Sequence, residues 1–181
     1  MKKTLLTFLG ILLVAACQEK DTTFLITEQS VGPLQTTTLV DKLETVFVKD
    51  SLVKDTVAFQ FGSSAGKIKV FEKGGKHLLT LTPSQDSVQT VENIQVFDPR
   101  YLSASGIGLK STFGDIKANY EVKKIVTTMN SVVVFPKESN LYFTLYKEDL
   151  PENLRYTTSR IEMVQIPDDA RIKYLMLGWN P

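Results

Sequence analysis

Among the side chains able to do chemistry, the scarcest are one histidine, His77, and one cysteine, Cys17, in a chain of 181 residues. Nucleophilic hydrolysis needs a base, usually imidazole, within bonding reach of a serine or cysteine. A zinc centre needs several His, Cys or carboxylate ligands at close spacing. One imidazole and one thiol, far apart in the sequence, furnish neither arrangement. His77 follows the polar stretch Lys73-Gly74-Gly75-Lys76, where an exposed surface histidine is expected. The adjacent acidic pairs Glu148-Asp149 and Asp168-Asp169 read as solvated loop residues. Gly106-Ile107-Gly108 lacks the third glycine of a dinucleotide fingerprint, so glycine there is expected to give a tight turn into a helix. No catalytic residue, metal ligand or cofactor is assigned on these grounds.

Cys17 has a different chemistry. Lys2 and Lys3 precede an apolar run from Leu5 to Ala16, too short for a bilayer span, which needs about 20 residues, and suited to a cleaved export signal. Leu13-Val14-Ala15-Ala16-Cys17 resembles the bacterial lipobox. Small residues let the peptidase grip an extended segment, and the thiol takes the diacylglycerol before cleavage. Residues 1–16 are therefore expected to be a signal peptide and Cys17 the lipid-bearing first residue of the mature chain. One acyl chain holds a protein weakly, whereas two or more hold it stably. Gln18-Glu19-Lys20-Asp21-Thr22-Thr23 has no apolar periodicity and reads, with Cys17, as a tether over 17–23. The absence of aspartate at 18 points to the outer membrane, and the charged run resembles the export signal of surface lipoproteins in Bacteroidota. The domain is expected to face the periplasm or the cell surface.

Cleavage leaves about 165 residues, enough for one domain with its own core. Lys+Arg number 21 and Asp+Glu 20; without Lys2 and Lys3 the mature charge is about −1. No polybasic patch points to nucleic acid. With Cys17 alkylated, no disulfide is available, so packing alone must hold the fold.

The elements that would position any site emerge on comparing the chain with itself. Val70-Phe71-Glu72-Lys73-Gly74-Gly75-Lys76-His77-Leu78-Leu79-Thr80-Leu81 aligns without a gap on Val134-Phe135-Pro136-Lys137-Glu138-Ser139-Asn140-Leu141-Tyr142-Phe143-Thr144-Leu145. Each copy is strand, polar turn, strand. Upstream of each lie a glycine turn, a hydroxyl N-cap at Thr37 or Thr38 and at Ser111 or Thr112, and a short helix. Leu39, Leu43 and Phe47 share one apolar helical face, and Phe113, Ile116 and Tyr120 share another. Downstream come the β-rich runs Val91–Phe97 and Arg171–Leu177. The expectation is an α+β domain over 24–181, in two similar halves of about 24–98 and 99–181. Each half would be a helix followed by three strands, in an antiparallel sheet with the helices packed on one side. The second half carries a long insert between Lys147 and Asp169 containing Arg155, Tyr156 and Arg160. Long connections are often functional and Arg and Tyr are favoured at interfaces, so these three are the candidate partner-binding residues.

Three stretches carry a resemblance: Ser30–Thr36; Val96-Phe97-Asp98 through Gly114-Asp115; and Ile172-Lys173-Tyr174-Leu175-Met176-Leu177-Gly178-Trp179. Through them the chain resembles the sigma-E-regulated outer-membrane lipoproteins of enterobacteria, a family of uncharacterised function. It departs from that pattern in lacking a cysteine pair near the second helix. The resemblance implies an envelope lipoprotein of uncharacterised function. With no catalytic motif in the residues, the expected role is a non-enzymatic one, binding a protein or another envelope component through the sheet or the 148–169 insert. The alternative is a hydrolase of a cell-envelope substrate using carboxylates such as Asp98 and Asp115, although Asp98-Pro99 also suits a turn and Asp115 a helix N-terminus.

Overall fold

The computed structural model describes residues 21–54 and 66–179; Cys17 and residues 1–16, expected to be a signal peptide, lie outside the described residues. Three short strands open the domain, β1 (Leu25–Ile26), β2 (Ser30–Val31) and β3 (Leu34–Gln35). A 3₁₀ turn, Val40–Lys42, then leads into the single helical turn α1 (Leu43–Val46). Four strands follow: β4 (Asp50–Lys54), β5 (Ile68–Glu72), β6 (His77–Pro83) and β7 (Val91–Val96). The chain continues through β8 (Leu102–Ser103) to α2 (Phe113–Asn119), β9 (Val122–Thr127), β10 (Val132–Pro136) and β11 (Leu141–Leu145). A helical turn α3 (Glu152–Arg155) lies in the connection to β12 (Ile172–Gly178).

The fold is α+β with strands predominating. Its main sheet has eight strands in the order β4-β5-β6-β7-β12-β11-β10-β9, every neighbouring pair antiparallel. Period-2 alternation sorts the side chains onto two faces. One cross-strand row runs Leu52, Val70, Leu79, Val96, Leu175, Phe143, Val134, Ile125, apolar in all eight strands. Its six inner members are buried in the core, with Leu43 of α1 and Phe113 and Ile116 of α2. The adjacent row contains Val53, Lys69, Thr80, Gln95, Met176 and Tyr142, and faces the other way. Such a clean split is what an antiparallel sheet with one packed face requires.

The two hairpins aligned in the sequence have matching registers. Ile68 pairs with Leu81 and Val70 with Leu79; Val132 pairs with Leu145 and Val134 with Phe143. Two expectations need correcting. Four strands, not three, follow each helix, because β4 and β9 belong to the count. They are the sheet's two edges, and Asp50-Ser51-Leu52-Val53-Lys54 and Val122-Lys123-Lys124-Ile125-Val126-Thr127 carry the polar residues that edges tolerate, which blurs their alternation. The helices are also shorter than their apolar faces suggest. Only α2 has the expected hydroxyl cap: Thr112 accepts from the Asp115 N–H, and the Asp115 carboxylate accepts from the Thr112 N–H. The first helical segment starts at Val40, with Leu39 in the capping position and no side-chain cap, so neither Thr37 nor Thr38 serves.

The short strands form a second sheet, β3-β2-β1-β8, in which β1 pairs in parallel with β8 through Leu25–Leu102 and Ile26–Ser103. Phe24, just before β1, stands edge-on to Tyr101 at 5.1 Å. The turn between β2 and β3 needs Gly32, whose φ is +55° and whose added Cβ would collide with the Thr23 carbonyl oxygen. Gly32→Ala is therefore expected to lower stability by about 2–4 kcal/mol. A urea midpoint within experimental error of the parent's would contradict that close approach.

Candidate functional site

The insert between β11 and β12 is packed down rather than loose. Leu150, Ile161 and Ile166 are buried in the core, and the Ile161 N–H donates to Thr127 Oγ1 of β9 at 3.1 Å. Lys147 is buried, which its type does not suggest. Its ammonium donates to the carbonyls of Met129 and Thr157, tying the β9–β10 turn to the insert. Burial pushes its pKa down.

This packing sets segment 158–163 alongside β9. Between them is an open groove of about 460 Å³ lined by Lys123, Lys124, Ile125, Val126, Thr127, Thr158 and Arg160. A smaller pocket of about 160 Å³ continues it past Ile161 and Met163. β9 is an edge strand paired on one side with β10. Among the described residues, no backbone hydrogen bond links Val122–Thr127 to any other segment. The register slips between Phe135, opposite Lys124, and Pro136, opposite Val122, leaving Lys123 as an extra residue in the edge, a β-bulge. Two exposed lysines thus stand side by side where the ladder places one.

Of the three residues singled out from the sequence, Arg160 lines this groove, 81% exposed, with Nε donating to Glu162 at 2.9 Å. Arg155 donates from Nε to the Leu150 carbonyl at 2.9 Å, and Tyr156 is 86% exposed; neither lines the groove. Lys123, Lys124 and Lys147 were missed. The paired lysines in a Val-Lys-Lys-Ile-Val-Thr run carried the signal, but only as part of a strand that was itself overlooked.

The titratable groups weighed for catalysis are occupied structurally. His77 is not an exposed surface histidine: it is half-buried between Phe71 at 4.8 Å and Phe97 at 3.9 Å. The ring contacts the Leu79 carbonyl and the Thr80 hydroxyl, and burial lowers its pKa. Its strand runs straight out of the Gly74-Gly75 turn, so the side chain falls on the sheet between two aromatic neighbours. Asp98 is fully buried and accepts from the Arg100 backbone and guanidinium, and from Lys76 at 2.9 Å. Despite the desolvation opposing it, this set of donors holds its carboxyl down at about 2. Arg100 also makes a two-pronged contact with Glu72, at 3.0 Å for each prong. A carboxylate so held is ionised across the physiological range and has no proton to deliver. Asp115 caps α2. Asp149 is chelated by the Arg171 guanidinium, which lowers its pKa, and Asp168 pairs with Lys117. Among the described residues, no three His, Cys, Asp or Glu side chains are grouped to hold a metal, and no helix is long and apolar enough to cross a membrane.

The mixed fold, dominated by one antiparallel sheet, has a counterpart among solved structures. The uncharacterized protein yfeY from Escherichia coli superposes with a TM-score of 0.51 at 14% sequence identity, over 83% of this chain and 97% of that one. At that identity the likeness is one of fold. No protein-family model matches the chain, and no curated protein matches it.

Proposed function

We propose that this chain is a lipid-anchored binding protein of the bacterial outer membrane, without catalytic activity, that captures an envelope protein partner along the β9 groove. It would belong with the sigma-E-regulated lipoproteins that its glycine-led segments resemble. Its two halves would be tandem repeats, since Val70 and Val134, and Leu79 and Phe143, hold equivalent places in the two hairpins. The observation that carries the binding role is the groove itself: an edge strand with an open side, walled by an insert whose buried anchors hold Arg160 beside Lys123 and Lys124. The lipobox at Cys17 carries the anchor.

Two tests follow. Cys17→Ala is expected to abolish palmitate labelling and release the protein from membranes; retention of both would refute the lipid anchor. Protease shaving of intact against lysed cells then reads which way the domain faces. For the groove, a photo-crosslinking amino acid at Arg160 should trap the same envelope protein reproducibly in cells. The same group at Val88, exposed in the β6–β7 connection and sharing a pocket with Lys54 of β4, the other edge strand, should not. Crosslinks that do not differ between the two positions would sink the binding assignment.

A further inference from the structure

Resting on that reading, we infer that β9 accepts an extended acidic peptide as a ninth strand of the main sheet. An edge strand offers a row of backbone donors and acceptors to any chain of matching direction, and main-chain pairing of this kind supplies affinity while side-chain sites supply specificity. Here the specificity is electrostatic. Lys123, Lys124 and Arg160 line the groove, and the one acid facing them in the adjoining pocket, Glu162, is already engaged by Arg160. The excess of positive charge selects a partner segment carrying glutamate or aspartate.

The strand itself provides further discrimination. Ile125 stands opposite Val134 on the packed face, whereas Lys124 stands opposite Phe135, whose ring stacks on Tyr142 at 5.5 Å. A peptide laid along β9 therefore meets apolar surface with one set of alternate side chains and positive charge with the other. Its preferred pattern is alternating acidic and β-branched residues. The bulge at Lys123 ends regular pairing, so the added strand would lie over Lys124 to Thr127 and run out toward segment 158–160.

The test uses the full chain in detergent and fluorescein-labelled peptides of about nine residues, a usual strand length, alternating Glu with Val and Thr. Controls are a Lys-for-Glu counterpart and two copies of the Glu peptide methylated on every second amide nitrogen, one for each register. The Glu peptide should bind with an affinity that falls as salt rises. The Lys peptide and one of the two methylated copies should bind at least about tenfold more weakly. Lys124→Glu with Arg160→Glu, both exposed positions, should invert the preference toward the Lys peptide. Equal binding of both methylated copies, equal binding of Glu and Lys peptides, or no binding by any peptide would overturn the inference and leave the lysines as guards that keep the edge unpaired. If the peptides fail while the Arg160 crosslink persists, strand addition falls and the binding role stands; if both fail, the role falls too.

Discussion

Replacing Asp98 with alanine is expected to cost about 3 kcal/mol of folding stability, the low end of what breaking a buried ion pair costs. The carboxylate is fully buried and accepts three bonds from Arg100 and one contact from Lys76. Removing it leaves Arg100 and Lys76 without their shared anion. Both keep surface in water, so they rehydrate, and the loss stays moderate. The pH dependence gives a sharper test. The folded carboxyl titrates at about 2 against an ordinary value of 3.8; its pKa is depressed, so its contribution is present above about pH 4 and disappears as pH falls toward 2. The linkage is worth on the order of 2 kcal/mol at neutral pH. Urea unfolding of the parent and of Asp98→Asn should therefore give stabilities well apart at pH 7 that converge as pH falls from 4 to 2. A gap that is constant with pH would show that the carboxylate's charge contributes nothing.

The second large effect concerns the helices. Leu43 in α1 and Ile116 in α2 are both completely buried, and each is followed four positions later by an aromatic residue on the same face, Phe47 and Tyr120. Truncating either to alanine removes buried methyl groups and opens a cavity, which costs about 2–5 kcal/mol. If the halves are equivalent units, Leu43→Ala and Ile116→Ala should lose similar amounts, with similar dependence of stability on denaturant. The scaffold around the first site is weaker, a 3₁₀ turn and a single α turn. A Leu43→Ala loss below about 1 kcal/mol beside a full loss at Ile116 would mean that the first helix is ornamental and the halves are not equivalent.

These two residues also mark how far the fold can be read from the chain. The hairpin alignment, the apolar faces at Leu43–Phe47 and Phe113–Tyr120 and the hydroxyl cap at Thr112 are all local patterns with a period or a cap chemistry behind them, and they were legible. β4 and β9 were not, because an edge strand is relieved of burial along one side and tolerates polar residues that erase alternation. The site suffered for the same reason. Arg160 could be picked out by residue type, but Lys123 and Lys124 join it only across a contact made by the folded insert, and nothing local reports that the Thr127 hydroxyl receives the Ile161 amide. Lys147 was illegible for a different cause: its burial depends on two backbone carbonyls from distant segments, and a lysine ordinarily signals surface. His77 and Asp98 show the converse. Residue types that suggest chemistry are committed here to an aromatic stack and a buried ion pair.

The parallel pairing of β1 with β8 has a mechanical side. Load entering the domain from its N-terminal side arrives at Phe24 and β1. Drawn along its own axis, β1 shears against β8 and β2, so their bonds resist together instead of parting one after another. The Arg100 guanidinium seated 4.1 Å over the Phe24 ring, itself fastened to Asp98 and Glu72, adds a brace at the point of entry. Such a load passes through Arg100 to Asp98 and Glu72 at one end of β1, and through the Glu28 carboxylate, which accepts from Ser139 and Asn140, to the β10–β11 turn at the other.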